Sequence, residues 1–330
     1  MTDEELAAQE KALKKNPPKP VEIRFHALVT LDMSYNKFTE IGGCFAAFPK
    51  LVLLDMSNNE IASVNGCIGK MTRMKELNLS HNKITTMPKE FALCKTLQTL
   101  RLNNNEIVGV PESIQNLTQM RFLYLQNNSI LSQSMKSTFF ATLGKLVELY
   151  CQHNRMVGVP SSFYTLVKLT QCDLSHNKIS TIADDIQNMV SLVCLNVSHN
   201  QISSTFPEEL SALKDLNTLD LQHNFITELP SSLSKMTNLY HVYLEHNCFK
   251  EFSTVMRSMS HINGWNFHNN QIYGEYAKYL DSLDHGSDDG EEGCEINKIN
   301  DEEGEALMAK AFQLEANVPS KSGNIDRVIF

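Results

Sequence analysis

Eleven asparagines recur along this chain at nearly constant steps: Asn36, Asn59, Asn82, Asn105, Asn128, Asn154, Asn177, Asn200, Asn224, Asn247 and Asn270. Eight of the ten steps are 23 residues; the others are 26 and 24. A fixed period in this range signals an array of stacked supersecondary units rather than an ordinary globular domain. Each asparagine closes the same frame: apolar, two residues, apolar, one residue, apolar, two residues, Asn, one residue, apolar. Leu77-Asn78-Leu79-Ser80-His81-Asn82-Lys83-Ile84 is one copy, and Leu219-Asp220-Leu221-Gln222-His223-Asn224-Phe225-Ile226 is another. Where leucine is replaced the residue stays apolar, as at Met33, Met56, Cys151, Cys172, Val197, Val242, Trp265 and Phe267.

The apolar-x-apolar centre of each frame reads as a short strand that sends alternate side chains into one core. One such unit cannot bury its apolar face; eleven stacked in register can. An asparagine amide both donates and accepts, so it can satisfy backbone groups where the chain turns off the strand. Eleven in register predict a buried ladder. The frame resembles the leucine-rich repeat, over about residues 28–272. Several copies continue with a proline and an apolar residue three on: Met87-Pro88 with Phe91, Val110-Pro111 with Ile114, Val159-Pro160 with Phe163, Phe206-Pro207 with Leu210, Leu229-Pro230 with Leu233. That run is similar to the intracellular Ras-suppressor and plant Ras-group-related repeats. The first two copies and Ile182-Ala183 lack the proline. The resemblance implies an α/β fold: a leucine-rich repeat solenoid (horseshoe) with one curved parallel sheet of about eleven strands and an irregular or short-helical convex side. It also implies protein binding, but no particular partner.

Thirty asparagines aside, composition is ordinary: 42% of the 330 residues are hydrophobic, enough for a large core. With 29 Lys+Arg against 38 Asp+Glu, the net charge is −9, which argues against a nucleic-acid binder. The charge is unevenly placed. Residues 281–305 hold eleven acids and one base, Lys298, so the rest of the chain is close to neutral. No 18-residue apolar run predicts membrane insertion, and residues 1–20 are charged, with no secretory signal pattern. Eight cysteines lack any Cys-x-x-Cys spacing, and two of them, Cys151 and Cys172, occupy leucine positions. They read as reduced core thiols in a cytoplasmic protein, with nuclear or cytoskeletal association also compatible. The expected organisation is an N-terminal charged helix or arm over 1–20, a capped solenoid over 21–285, an acidic linker over 286–304, and a short amphipathic helix and tail over 305–330. The arm either shields the open end of the solenoid or is free. Tyr273 to Leu283 is expected to close the core. Ser287, ahead of Asp288-Asp289, is a candidate for acid-directed phosphorylation.

Neither a G-x-G-x-x-G nor a Walker A loop occurs, nor H-E-x-x-H or G-x-S-x-G. The acidic stretch fits no EF-hand register. Histidines 81, 153, 176, 199, 223 and 246 each precede a ladder asparagine. A row of this kind offers at most two ligands to one metal, so no metal site is expected. No enzyme activity, cofactor or small-molecule substrate is expected either. Binding is expected on the concave face. Arg101, Phe122, Tyr124 and Tyr150 cluster there on three adjacent repeats, and Tyr243 lies further along. Tyrosine and arginine are the residue types that dominate interfaces. The 26-residue repeat sits beside this cluster, and its extra residues, within Ser129 to Phe140, are expected to bulge at an edge or on the convex side. The first functional expectation is an intracellular scaffold or adaptor, of the kind used in signalling, that binds a protein on this face. The alternative is a regulatory or structural subunit of an enzyme, cytoskeletal or axonemal complex. That subunit would make contact through the acidic tail and its helix, with Leu307, Met308 and Phe312 on the apolar side.

Overall fold

A computed structural model describes residues 27–271, apart from 111, 204, 205, 252, 263, 264 and 268. The charged N-terminal segment, Tyr273 to Leu283, Ser287, the acidic run and the tail residues Leu307, Met308 and Phe312 lie outside the described residues, as do the expected boundaries at 20, 285 and 304.

The described chain winds through eleven parallel strands of one sheet. They are β1 (Thr30–Asp32), β3 (Leu53–Asp55), β5 (Glu76–Asn78), β6 (Thr99–Arg101), β7 (Phe122–Tyr124), β8 (Glu148–Tyr150), β9 (Gln171–Asp173), β10 (Cys194–Asn196), β11 (Thr218–Asp220), β12 (His241–Tyr243) and β13 (Trp265–Asn266). Each strand pairs only with its neighbours in sequence order, as a solenoid requires. Register is uniform: Leu54, Leu77, Leu100, Leu123, Leu149, Cys172, Leu195, Leu219 and Val242 align across the sheet. All nine point inward and are buried. Nearly every repeat returns through a single 3₁₀ turn, such as Lys89–Leu93 or Glu208–Ala212. Neighbouring strands lie about 4.8 Å apart, and the small rotation from one repeat to the next that curves a solenoid makes the sheet its concave wall.

The prolines explain where the returns begin. Pro88, Pro160, Pro207 and Pro230 each cap a 3₁₀ turn in extended conformation, with φ between −62 and −70°. The apolar residue three on, Phe91, Phe163, Leu210 or Leu233, is buried. The first two repeats lack the proline and do something else. Their flanks pair as a second, two-stranded parallel sheet, β2 (Glu40–Ile41) with β4 (Ser63–Val64). The Asn65 N–H extends this pairing to the Ile41 carbonyl at 2.9 Å. Proline at that position has no N–H to give.

The asparagines bridge consecutive repeats. Asn82 Nδ2 donates to the carbonyls of Leu79 and Ser80 in its own repeat and of Met56 in the preceding one, at 3.0–3.2 Å. Its Oδ1 accepts from the Ile61 N–H at 2.9 Å. The same pattern runs through Asn105, Asn154, Asn177, Asn200, Asn224 and Asn247, all buried. The ladder is not buried throughout, as the sequence had suggested. Among the described residues Asn36, which is exposed, bonds only within its own repeat, and Asn128 and Asn270 are half-buried.

The residue before each ladder asparagine carries a left-handed backbone. All eleven, from Tyr35 to Asn269, have φ between 50 and 58°. Asparagine and histidine tolerate this region better than most residues, and they fill ten of the eleven positions.

The longer repeat keeps the sheet regular: Phe122 still pairs with Glu148 and Tyr124 with Tyr150. Its extra residues fall on the return side and are packed there. Phe139 and Phe140 are buried, edge-to-face at 4.8 Å, and Phe140 meets Phe163 of the next repeat at 5.8 Å. Ser132 Oγ ties the segment to that repeat, donating to the Gly158 carbonyl and accepting from the Val157 and Gly158 N–H groups.

Candidate functional site

In-register parallel strands place equivalent side chains about one strand spacing apart, and on β6 to β8 this builds a stack. Arg101, Tyr124 and Tyr150 are direct cross-strand partners. The Arg101 guanidinium lies 5.0 Å from the Tyr124 ring centre, in cation–π range. The Tyr124 and Tyr150 rings stack at 5.2 Å with planes 6° apart. In the neighbouring column, Arg121 lies 5.2 Å from the Phe122 ring, and the Tyr124 hydroxyl donates to Glu148 Oε2 at 3.0 Å. Burial, reinforced by Glu148, pushes both phenols up, Tyr150 to about 12. They are hydrogen-bonding aromatics, not acids, at physiological pH. All four clustered residues remain half-exposed.

Tyr243 is not part of this stack. It lies on β12, four strands beyond Tyr150, and pairs with Asp220 and Asn266. Between the two tyrosines the central concave column holds Asp173, Asn196 and Asp220, all buried. Burial raises both carboxyls, Asp220 to about 7, with Glu245 and Asp173 adding to the effect on Asp220. Asp220 is bonded through both oxygens to Gln222. Asp173 accepts only from Ser175, and Asn196 accepts from the Ser198 N–H while its amide nitrogen makes no hydrogen bond among the described residues. At the equivalent pair earlier in the sheet, Asn78 donates to the Asp55 carboxylate at 2.9 Å.

The histidine row forms one continuous stack. His153, His176, His199, His223 and His246 follow one another with ring centres 3.9–4.0 Å apart and planes within 15°. Burial and the neighbouring imidazoles lower the middle members, His199 to about 4. Parallel rings cannot converge their lone pairs on one ion. Among the described residues no group of three or more His, Cys, Asp or Glu could hold a metal. The core thiols are equally unreactive: burial drives Cys94 up to about 11 and Cys151 to about 12.

Arg121, Glu148, Asp173 and Asp220 were not singled out by sequence reasoning. All but Arg121 sit in the two concave columns that the period defines, so the signal was present. What it lacked was burial, which distinguishes Asp173 and Asp220 from exposed acids.

The leucine rich repeat family pattern matches residues 72–130, 144–202 and 191–249, and a two-copy form of it matches residues 49–91. No curated protein sequence matches the chain. Among solved structures, a leucine-rich repeat protein of Leptospira interrogans superposes with a TM-score of 0.69 and 24% identity over 78% of this chain. The ectodomain of a plant membrane receptor kinase from Arabidopsis thaliana, in complex with Casparian strip integrity factor 2, gives 0.63 and 25% over 75%. This chain spans 65% of the first of these and 31% of the second. An internalin of Listeria monocytogenes gives 0.62 and 20% identity, covering 78% of both chains. Among the described residues no helix is long and apolar enough to cross a membrane. The strand register, the asparagine bridges and the matched residues agree: the chain belongs to the leucine-rich repeat family.

Proposed function

We propose that this protein is a non-enzymatic scaffold or adaptor that holds a protein partner on its concave sheet, centred on Arg101, Phe122, Tyr124 and Tyr150. The observation that carries this reading is the stack of Arg101, Tyr124 and Tyr150 in register on β6 to β8. Preorganised, half-exposed aromatics with an arginine lose little side-chain entropy on binding and supply the contacts that dominate interface energies. Two structural neighbours were solved with a bound ligand, the plant receptor kinase ectodomain above and a plant peptide hormone receptor in complex with RGF2. The reading includes the compartment: reduced thiols and the proline-bearing repeat of the Ras-suppressor and plant Ras-group-related type support a cytoplasmic protein. It also keeps the sequence-based division into a solenoid with caps, an acidic linker and a C-terminal helix.

Tyr124→Ala combined with Tyr150→Ala is expected to abolish co-purification of the main partner. Melting is expected to shift by only a few degrees, since the stacked pair contributes about 1 kcal/mol. Retained binding would remove the concave site from consideration. The alternative contact, through the acidic tail, rests on the eleven acids of residues 281–305. Deleting residues 286–330 separates the two: the concave reading expects binding to survive, and its loss would favour the tail.

A further inference from the structure

We infer that the acidic segment 281–305 of this chain docks along the edge of its own solenoid where the chain enters the main-sheet strands β3 to β9. The inference concerns a different surface from the concave stack and does not rest on the reading of that stack as a docking site.

Charge on the entry edge is one-sided. The six residues that lead into each of these six strands hold eight bases in all and no acid, and all eight are exposed. On the opposite edge of the same repeats, the six residues after each ladder asparagine hold three bases and two acids. Glu76 and Glu148, the first residues of β5 and β8, are the acids next to the entry edge and offset only part of its charge. The edge is also in register. The Lys75, Gln98, Arg121, Val147 and Thr170 N–H groups each donate to the equivalent residue of the preceding repeat at 2.8 Å. Stacking therefore sets Lys50 beside Arg73 and Lys145 beside Lys168, each pair three residues ahead of neighbouring strands. Like charges facing each other across strands repel. Among the described residues none of the eight forms an ion pair: Lys83 with Glu60 and Lys136 with Glu112 lie elsewhere. Lys145 Nζ donates to a neutral amide, Gln119 Oε1, at 2.7 Å.

The complementary charge is on the same chain and within reach. Residues 281–305 hold eleven acids and one base, a net of −10. Asp281 lies ten residues beyond Gln271, where the described residues end, and Glu305 lies thirty-four beyond. At about 3.4 Å per residue those lengths reach about 34 Å and more than ~100 Å. From β13 the entry edge of β9 is four strand spacings away and that of β3 nine, about 19 and 43 Å. The segment can therefore lie along the whole basic edge. A tether of this length also holds it at an effective concentration of about a millimolar, so any free polyanion must compete with it for the edge. Its carboxylates relieve the repulsion between stacked bases, which the described residues leave uncompensated.

The test is carbodiimide cross-linking of the full chain, read by mass spectrometry, since this reagent joins a carboxylate to a lysine amine only where the two touch. Links from residues 281–305 are expected at Lys75, Lys95, Lys145 and Lys168, several-fold more often than at Lys83 and Lys178 on the opposite edge. They are expected to vanish in 1 M NaCl, where the screening length is about 3 Å. Lys145→Glu combined with Lys168→Glu is expected to lower the links at the untouched Lys75 and Lys95 about fivefold, the worth of two exposed ion pairs. Melting curves establish that this variant folds. An equal mixture of isotope-labelled and unlabelled chain tells links within one copy from links between two. Links shared evenly by both edges, links that survive 1 M NaCl or the double variant, or no links at all would each overturn the inference. Links that join two copies would assign the edge to a second copy of the chain and overturn it as well.

Discussion

The residue that holds the array together is the ladder asparagine. Asn177 Nδ2 donates to the carbonyls of Cys151, Leu174 and Ser175, and its Oδ1 accepts from the Met156 N–H. Removing it strands several buried backbone groups, each at about 1–3 kcal/mol. Asn177→Ala is therefore expected to cost about 3 kcal/mol in urea unfolding. Asn36→Ala, at an exposed position with no described repeat before it, is expected to stay within about 0.5 kcal/mol. Equal losses at both sites would mean that the side chain acts only within its own repeat. The sequence reveals which asparagines these are, through their spacing. It does not show that the residue before each one adopts φ above 50° or nearly so, a demand that follows from the turn at the strand end.

At the scale of an element, the longer repeat is the instructive case. Its three extra residues mark it in the sequence as a break in the period, and breaks of this kind often carry function. In the structure the segment is a packed part of the return side, with Phe139 and Phe140 filling the core against Phe163. Phe140→Ala is expected to destabilise by about 3–5 kcal/mol, as for other buried aromatics, while leaving partner binding to the folded protein intact. A change in affinity without a change in melting would reassign the segment to function. The strands themselves were legible because their apolar positions repeat with the period. The β2–β4 pairing was not, although the missing proline that permits it was visible, since pairing depends on how closely two flanks approach.

For the whole molecule, stacking converts unremarkable residues into columns with collective properties. In the histidine stack, burial and then the imidazoles of His176 and His223 on either side, with His246 and His153 beyond, lower His199 to about 4. Its unfolded value is about 6.5. Between those values the unfolded chain binds a proton that the folded chain refuses, so this residue's contribution to stability falls as pH drops from about 6.5 to 4. Asp220, raised to about 7, acts in the opposite sense over much of the same range. His199→Asn isolates the first effect, because asparagine already occupies the equivalent left-handed position at Asn104 and Asn127. The variant is expected to match the parent at pH 7.5 and to gain about 1 kcal/mol on it at pH 5, after allowing for solvent screening. Denaturant titrations at the two pH values measure this, and an equal difference at both would exclude the stack as a source of pH dependence.

The sequence by itself determined the period, the inward-facing leucines, the parallel order of the strands and the two columns from which any concave site must be drawn. All of these are local, repeating facts that a one-dimensional pattern can carry. Only the tertiary structure decided which column members meet. Arg101, Tyr124 and Tyr150 stack because in-register strands bring the guanidinium within 5.0 Å of the Tyr124 ring centre and the two tyrosine rings within 5.2 Å, while Tyr243 stands four strands beyond Tyr150 in the same column. Likewise Asp55 and Asp173 are the same letter at the same repeat position. Asp55 accepts from the amide of a neighbouring asparagine, whereas Asp173 is buried and bonded to Ser175 of its own repeat, a difference set by side-chain orientation and burial across repeats, which spacing does not encode.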